Sequence, residues 1–143
     1  MKVLFVCVEN AGRSQMAEAF AKRYGLFADS AGTHPSGRVD DAVVHVMKER
    51  GIDLSQARPS LLTAKMIDEA DLVVTMGCSV EEVCPAPIVA KMQKKVLDWN
   101  LEDPKNKPVE TVRHIRDDIE NRVRELTHNQ EASKEKSTRK ENQ

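Results

Sequence analysis

Cys7 and Arg13 are the residues whose types and spacing most directly indicate chemistry. They enclose the loop in "CVENAGRS", residues 7–14. The apolar run at 2–7 predicts a buried parallel strand, and helical spacing from Arg13 predicts a helix directly after the loop. A loop that wraps onto a helix N-terminus directs several backbone N–H groups to one point, where they bind an oxyanion. The predicted oxyanion-binding residues are Val8, Glu9, Asn10, Ala11, Gly12, Arg13 and Ser14.

The same positive field acts on the thiol of Cys7. Helix N-termini and neighbouring cations favour the thiolate and lower cysteine pKa values to about 3.5–7.5. Arg13 is suited to bind a tetrahedral oxyanion through two parallel hydrogen bonds, and Ser14 is suited to donate to the thiolate. We therefore expect an oxyanion held over a nucleophile. A nucleotide P-loop is disfavoured because no Gly-Lys-Ser/Thr follows. A packing cysteine beside a surface arginine is disfavoured by the surrounding strand, loop and helix.

Apolar segments alternate with helical patterns along the chain. Strands are predicted at 2–7, 26–32, 71–76 and 94–99, and helices from Arg13 to Gly25, from a cap at Asp40 or Asp41 to Gly51, over 63–70 and over 109–126. This alternation predicts an α/β fold, a three-layer sandwich with a central four-stranded parallel sheet and helices on both faces. A single domain is expected over 1–126. Residues 127–143 carry seven charges and one apolar residue, which predicts a disordered polar tail.

The predicted sheet brings three reactive groups to one edge. Ligands of parallel α/β sheets bind at the carboxyl ends of the strands. Cys7 ends the first strand, Cys78 follows the third and Asp103 follows the fourth. We expect the functional site at this edge.

Composition argues against several classes of function. Acidic and basic residues number 23 and 22, and only 3% of residues are aromatic, which disfavours nucleic-acid binding. No apolar stretch reaches the roughly 18–20 residues of a membrane span, and the apolar start is too short for a signal peptide. Three cysteines without a secretion signal indicate reduced thiols and a cytoplasmic location. No metal site or cofactor is expected, since Cys78 and Cys84 alone are too few ligands.

Several motifs resemble those of a known family. Cys7-x5-Arg13-Ser14, "SAG" at 30–32 and Asp103-Pro104 are similar in order and spacing to motifs of the low-molecular-weight protein tyrosine phosphatase fold, over about residues 1–126. "RSQMAE" (13–18), the cysteines of "VVTMGCSVEEVCP" (73–85) and "WNLEDPKNKP" (99–108) resemble the thioredoxin-coupled arsenate reductases of that fold.

The resemblance implies a reaction and its residues. Arsenate would form an adduct on Cys7, with Asp103 as the general acid; the alternative for Asp103 is a turn before the last helix. Cys78 would attack the Cys7 sulfur and release arsenite. Cys84 would then move the disulfide outward to thioredoxin or a similar dithiol donor. The alternative for Cys78 and Cys84 is ordinary burial.

Two other functions stay open. A phosphatase of this fold would share the first step through a phosphocysteine at Cys7, but aromatic residues typically follow its Asp-Pro, whereas Lys105 and Asn106 stand here. An oxyanion-binding or redox-sensing module would use the loop without turnover and would not need Asp103. Phosphate and sulfate are expected to bind as look-alikes of arsenate.

Overall fold

The computed structural model describes residues 1–77 and 96–141, with side chains described through residue 129. Within this part, no helix combines the length and the apolar character needed to cross a membrane. The elements, in chain order, are β1 (Lys2–Cys7), α1 (Arg13–Arg23), β2 (Phe27–Gly32), α2 (Asp41–Lys48), α3 (Ala64–Glu69), β3 (Leu72–Thr75), β4 (Val96–Asp98) and α4 (Val109–Glu141). Each predicted strand and helix is present, and all of them except the last helix have ends displaced by only a few residues.

The four strands form one parallel sheet in the order β2-β1-β3-β4. This confirms the predicted α/β fold. The central strand β1 is buried from Val3 to Cys7, as expected for a strand covered on both faces. Its register sets Cys7 opposite Gly32, and Thr75 of β3 lies opposite Asp98 of β4. The carboxyl ends of the strands therefore meet at one edge, where the predicted site lies.

Alternate residues of β1 face two separate apolar layers, as the two-residue period of a strand requires. One layer contains Val3, Phe5 and Cys7, which pack with α1, α2 and α4. The ring of Phe5 lies 5.6 Å from the ring of Trp99. Leu4 and Val6 pack on the opposite face with Ile67 of α3. Helices thus cover both faces, which confirms the predicted three layers.

The last helix is longer than the sequence analysis predicts. Its apolar stripe is buried in the same layer as Phe5 of β1, and it consists of Val112, Ile115, Ile119 and Val123. The backbone then continues as helix to Glu141, beyond the predicted helix end at residue 126. The physical reason is local: residues 127–141 contain strong helix formers and neither Gly nor Pro, so nothing in this stretch stops the helix.

The predicted side-chain cap of α2 is absent. Asp40 occupies the N-cap position with extended backbone angles, but its side chain accepts no hydrogen bond from the helix. Asp41 lies in the first turn and pairs with Arg38 at 3.2 Å. In α3, by contrast, the Thr63 hydroxyl caps by accepting from the Met66 N–H at 3.2 Å. The carboxylate of Asp40 is directed instead toward the site described next.

Candidate active site

The loop between β1 and α1 is fixed by the segment after β2. Four of its carbonyls accept backbone N–H groups of that segment: Cys7 from Thr33 (3.2 Å), Val8 from His34 (2.7 Å), Glu9 from Ser36 (3.0 Å) and Ala11 from Asp40 (2.9 Å). All peptides are trans in the described residues, so each carbonyl and the following N–H point to opposite sides. The N–H groups of residues 8, 9, 10 and 12 therefore point into the loop. We call this set of N–H groups the cradle, and it is suited to bind an oxyanion.

Gly32 permits this close approach of two segments. A Cβ at position 32 would lie 2.5 Å from the Val8 carbonyl oxygen and 2.9 Å from the Asn10 nitrogen. Real side chains do not tolerate such distances, so only glycine fits here. The glycine of "SAG" thus serves the loop after β1 rather than a turn of its own strand.

The sulfur of Cys7 lies buried at the base of the loop, with 4% of the residue exposed. It is 2.9 Å from the Ser14 hydroxyl oxygen and accepts the Asn10 backbone N–H at 3.1 Å. The Asn10 side-chain amide donates to the same hydroxyl oxygen at 2.7 Å. Because that oxygen already accepts from Asn10, the hydroxyl proton is available to the sulfur. Both donors favour a thiolate at Cys7.

Asn10 has a role that the sequence analysis did not predict. Its side chain is fully buried and points behind the cradle, and its backbone has φ 54°, a left-handed conformation that asparagine tolerates. Its side-chain oxygen accepts from the Gln15 amide at 3.1 Å and from the Ser60 N–H at 2.9 Å. Asn10 therefore ties the loop to α1 and to the segment before α3. The preference of asparagine for this conformation was the one available signal.

Arg13 begins α1 and is anchored by backbone carbonyls from two other parts of the chain. Its Nη1 donates to Met76 at 2.6 Å and to Leu101 at 2.9 Å, and its Nη2 lies 4.0 Å from Asp103 Oδ2. Met76 directly follows β3, and Leu101 follows β4. The guanidinium is therefore held, largely buried, at the carboxyl edge of the sheet beside the cradle.

Asp103 lies at the same edge and is more exposed. Its Oδ1 accepts the Lys105 backbone N–H at 3.0 Å, which closes a local turn, while its Oδ2 faces Arg13. Pro104 is buried against Gly12: a Cβ at position 12 would lie 3.1 Å from Pro104 Cγ. One carboxyl thus closes the turn and also faces the Arg13 guanidinium.

An open cavity of about 470 Å³ lies over the cradle. It is lined by Cys7, Val8, Glu9, Ala11, Gly12, Arg13, Asp40, Gly77, Asp103 and Lys105. Asn10 and Ser14 contact the sulfur from behind the cavity. Cys78 and Cys84 fall outside the described residues, although Gly77, which precedes Cys78, lines the cavity. The described residues hold no cluster of metal-ligating side chains.

Glu9 is a carboxylate within the loop that is predicted to bind an anion. Its Oε1 lies 3.0 Å from Lys105 Nζ, and this hydrogen bond raises the pKa of Lys105. Both side chains are about half exposed. The pair joins the two loops that flank the cavity, and the ammonium offsets the charge that Glu9 would otherwise direct at an oxyanion.

Asp40 lines the cavity, although the sequence predicts it only as a possible cap of α2. Burial raises the pKa of its carboxyl, and the carboxylates of Glu9 and Asp103 add to the shift, while Lys105 opposes it. Its position depends on the long-range contact with Ala11, so a helix-cap pattern read from the sequence cannot reveal it.

Comparison with known proteins identifies the family. Residues 2–139 match the low molecular weight phosphotyrosine protein phosphatase family. The chain belongs to that family. Its four-stranded parallel sheet with helices on both faces is thereby the fold of a low molecular weight phosphatase-like enzyme.

Proteins similar to this chain carry two kinds of name. A Halobacterium salinarum protein named "Putative arsenate reductase" is 44% identical over 130 residues, covering 85% of this chain and 87% of its own. A Synechocystis "Glutaredoxin arsenate reductase" is 36% identical, covering 87% and 95%. The solved structure of the YwlE arginine phosphatase from Geobacillus stearothermophilus superposes with a TM-score of 0.83 at 26% identity, covering 94% and 96%.

Proposed function

We propose that this chain is an arsenate reductase. The observation that carries the proposal is the position of Gly77 in the cavity of Cys7, because it brings the backbone that leads to Cys78 to the nucleophile. A phosphatase needs no second thiol there, whereas a reductase does. The arsenate reductase names of the relatives support the same choice.

The proposed first step forms the adduct. The Cys7 thiolate attacks arsenic, and one oxygen leaves as water with a proton from Asp103. The N–H groups of the cradle and the Arg13 guanidinium hold the remaining oxygens. Cys7, Arg13 and Asp103 are the proposed catalytic residues of this step.

The proposed second step reduces arsenic. The Cys78 thiolate attacks the Cys7 sulfur, the electron pair of the sulfur–arsenic bond passes to arsenic, and arsenite leaves as Cys7 and Cys78 form a disulfide. Cys84 then attacks Cys78, which frees Cys7 and forms a Cys78–Cys84 disulfide. Each turnover oxidises two thiols to one disulfide and reduces one As(V) to As(III).

A dithiol donor must reduce the final disulfide. We propose a donor of the thioredoxin type; a glutaredoxin is the alternative that one relative's name suggests. Because such a relay requires reduced thiols, we also propose that the protein acts in the cytoplasm.

A phosphatase is the second candidate. The family and the likeness to an arginine phosphatase favour it, and hydrolysis of a phosphocysteine at Cys7 would use the same cradle. Lys105, paired with Glu9 at the cavity, supplies no flat apolar wall for a phenol ring. A redox-sensing module without turnover is the third candidate, and it needs no general acid at Asp103.

Turnover of arsenate with thioredoxin and its reductase, measured beside hydrolysis of para-nitrophenyl phosphate, separates these candidates. We expect arsenite from the wild-type protein and a Cys78–Cys84 disulfide by peptide mapping. Cys78→Ser should form the adduct without releasing arsenite, and Cys84→Ser should stop after about one turnover as a Cys7–Cys78 disulfide. Ester hydrolysis that persists in both variants, with no disulfide after arsenate, would establish the phosphatase instead.

A further inference from the structure

The Asp40 carboxyl lies beside the oxyanion cradle. Its backbone N–H donates to the Ala11 carbonyl at 2.9 Å, and it lines the cavity together with Cys7 and Arg13. A Cβ at position 12 would lie 3.9 Å from Asp40 Oδ2. The carboxyl is therefore next to the Gly12 peptide, whose N–H points into the cradle.

This position excludes the usual role of an aspartate before a helix. Asp40 occupies the N-cap of α2, where a carboxylate ordinarily accepts an N–H of the first turn, yet it makes no such bond. Within the described residues, no side chain donates a hydrogen bond to it. An acceptor group of the cavity wall is thus left available to whatever occupies the cavity.

Charged groups surround this carboxyl on several sides. Glu9 of the cradle, Asp103 of the opposite loop and Asp41 of α2 disfavour its ionised form, and Lys105 favours it. Arg13 and Cys7 face the same cavity. An anion without a proton has only acceptor oxygens, and the Asp40 carboxylate also has only acceptors. No hydrogen bond could therefore form between them.

We propose that Asp40 is a specificity-determining residue that makes the cavity select oxyanions bearing an O–H group, such as hydrogen arsenate and hydrogen phosphate, over sulfate. The P–OH or As–OH group donates a hydrogen bond to the Asp40 carboxylate, while the other oxygens accept from the cradle. Sulfate carries no proton near neutral pH, so its oxygens and the carboxylate repel. The inference deepens the proposed function by naming the form of its substrate, but it concerns anion binding and not reduction.

The selection has a thermodynamic signature. Sulfate can bind well only when Asp40 itself is protonated and donates, so its binding takes up one proton. Its affinity should rise about tenfold for each pH unit of acidification while Asp40 is ionised. Phosphate brings its own proton and should depend on pH less steeply.

Protection of Cys7 from alkylation by iodoacetamide tests the inference with inorganic phosphate and sulfate as probes. For the wild-type protein we expect phosphate to protect at much lower concentration than sulfate near neutral pH. In Asp40→Asn the amide donates to either anion, so the preference for phosphate over sulfate should fall about tenfold or more, and the steep pH dependence for sulfate should vanish. Asp41→Asn is the matched control, because this exposed neighbour pairs with Arg38 and should keep the wild-type preference.

Equal preference and equal pH dependence in the wild-type protein and Asp40→Asn would overturn the inference. If the variant does not fold, the wild-type measurement still tests the inference. Phosphate and sulfate that protect the wild-type protein with the same pH dependence would contradict the inference. Failure of the proposed function has a different result: a protein that discriminates between the anions but produces no arsenite retains the selection and loses the reductase.

Discussion

Ser14 and Asn10 supply hydrogen-bond donors to the sulfur of Cys7. Asn10 donates through its backbone to the sulfur and through its amide to the Ser14 hydroxyl, which lies 2.9 Å from the sulfur. Ser14→Ala removes one donor to the buried sulfur and leaves the other. The rate of Cys7 alkylation should then fall about tenfold near neutral pH.

Ser36→Ala is a suitable control for that measurement. The Ser36 hydroxyl donates to the exposed Arg38 carbonyl and does not contact the sulfur. We expect wild-type alkylation from this variant and none from Cys7→Ser. An unchanged rate in Ser14→Ala would show that the backbone donor alone suffices.

Asp103 approaches Arg13 while it also closes its own turn. Asp103→Asn keeps an acceptor for the Lys105 N–H, so the turn should persist, but the side chain can no longer give up a proton. Formation of the arsenate adduct on Cys7 should slow by about 10²–10⁴-fold in rapid-mixing experiments. Glu102→Gln, which removes a neighbouring carboxylate paired with Lys107, should react at the wild-type rate. A wild-type rate in Asp103→Asn would leave the turn as its only role.

The raised pKa of Asp40 also predicts an effect on stability. Burial raises the pKa of its carboxyl, so the ionised form costs folding free energy at pH values above that raised pKa. Asp40→Asn should therefore increase the Tm at neutral pH. The gain should vanish in acid below the ordinary aspartate pKa, where the carboxyl is protonated in both states. A lower Tm at neutral pH would contradict this account.

At the scale of elements, the loop after β1 depends on the end of β2. Gly32→Ala would set a Cβ 2.5 Å from the Val8 carbonyl and push the cradle out of place. We expect a loss of stability of about 1–3 kcal/mol in urea unfolding, together with loss of phosphate protection at Cys7. Gly37→Ala has no atom within 4 Å of its new Cβ and should stay within about 0.5 kcal/mol of wild type. A stable Gly32→Ala protein that still binds phosphate would disprove the steric argument.

The sequence predicted those parts of the fold that depend on local patterns. The apolar run before Cys7 and the stripe from Val112 to Val123 follow directly from the two periodicities, and they placed the strands and the last helix correctly. The end of that helix was missed because the polar composition of a tail does not by itself prevent a helix. Low hydrophobicity indicates weak packing, whereas helix formation also depends on propensity.

The candidate site was predictable only in its nearest neighbours along the chain. The contact of Cys7 with Ser14 follows from a strand, a loop and a helix in succession. The anchoring of Arg13 by Met76 and Leu101, and the approach of Asp40 to Ala11, join residues far apart in sequence. A single sequence contains no local signal for contacts of this kind.

At the scale of the whole molecule, Glu49 joins α2 to α4. Its carboxylate lies 2.8 Å from Arg113 Nη2 and 2.6 Å from Arg116 Nη1, and Arg116 also donates to the Val46 carbonyl at 2.9 Å. These hydrogen bonds, first from Arg113 and then from Arg116, lower the pKa of Glu49 from 4.5 to about 2. The lowered pKa means that the contribution to stability is present above the ordinary glutamate pKa and is lost as the pH falls toward 2.

Glu49→Gln should therefore lower the Tm at neutral pH, and the difference from wild type should close as the pH falls from about 4.5 to about 2. Thermal unfolding followed by circular dichroism across this range measures it. Glu125→Gln makes the same change of charge at an exposed position of α4 and should leave the Tm close to wild type. A Tm difference that persists unchanged at pH 2 would assign the effect to packing.

The hydrogen bond from Arg13 to the Met76 carbonyl fixes the backbone directly after β3. Because the same guanidinium donates to the Leu101 carbonyl, one side chain holds both the backbone that leaves β3 and the backbone that leaves β4. Arg13 is thus a cross-link between two strand exits as well as a cation at the cavity, so its removal should disturb the sheet edge and the cavity together.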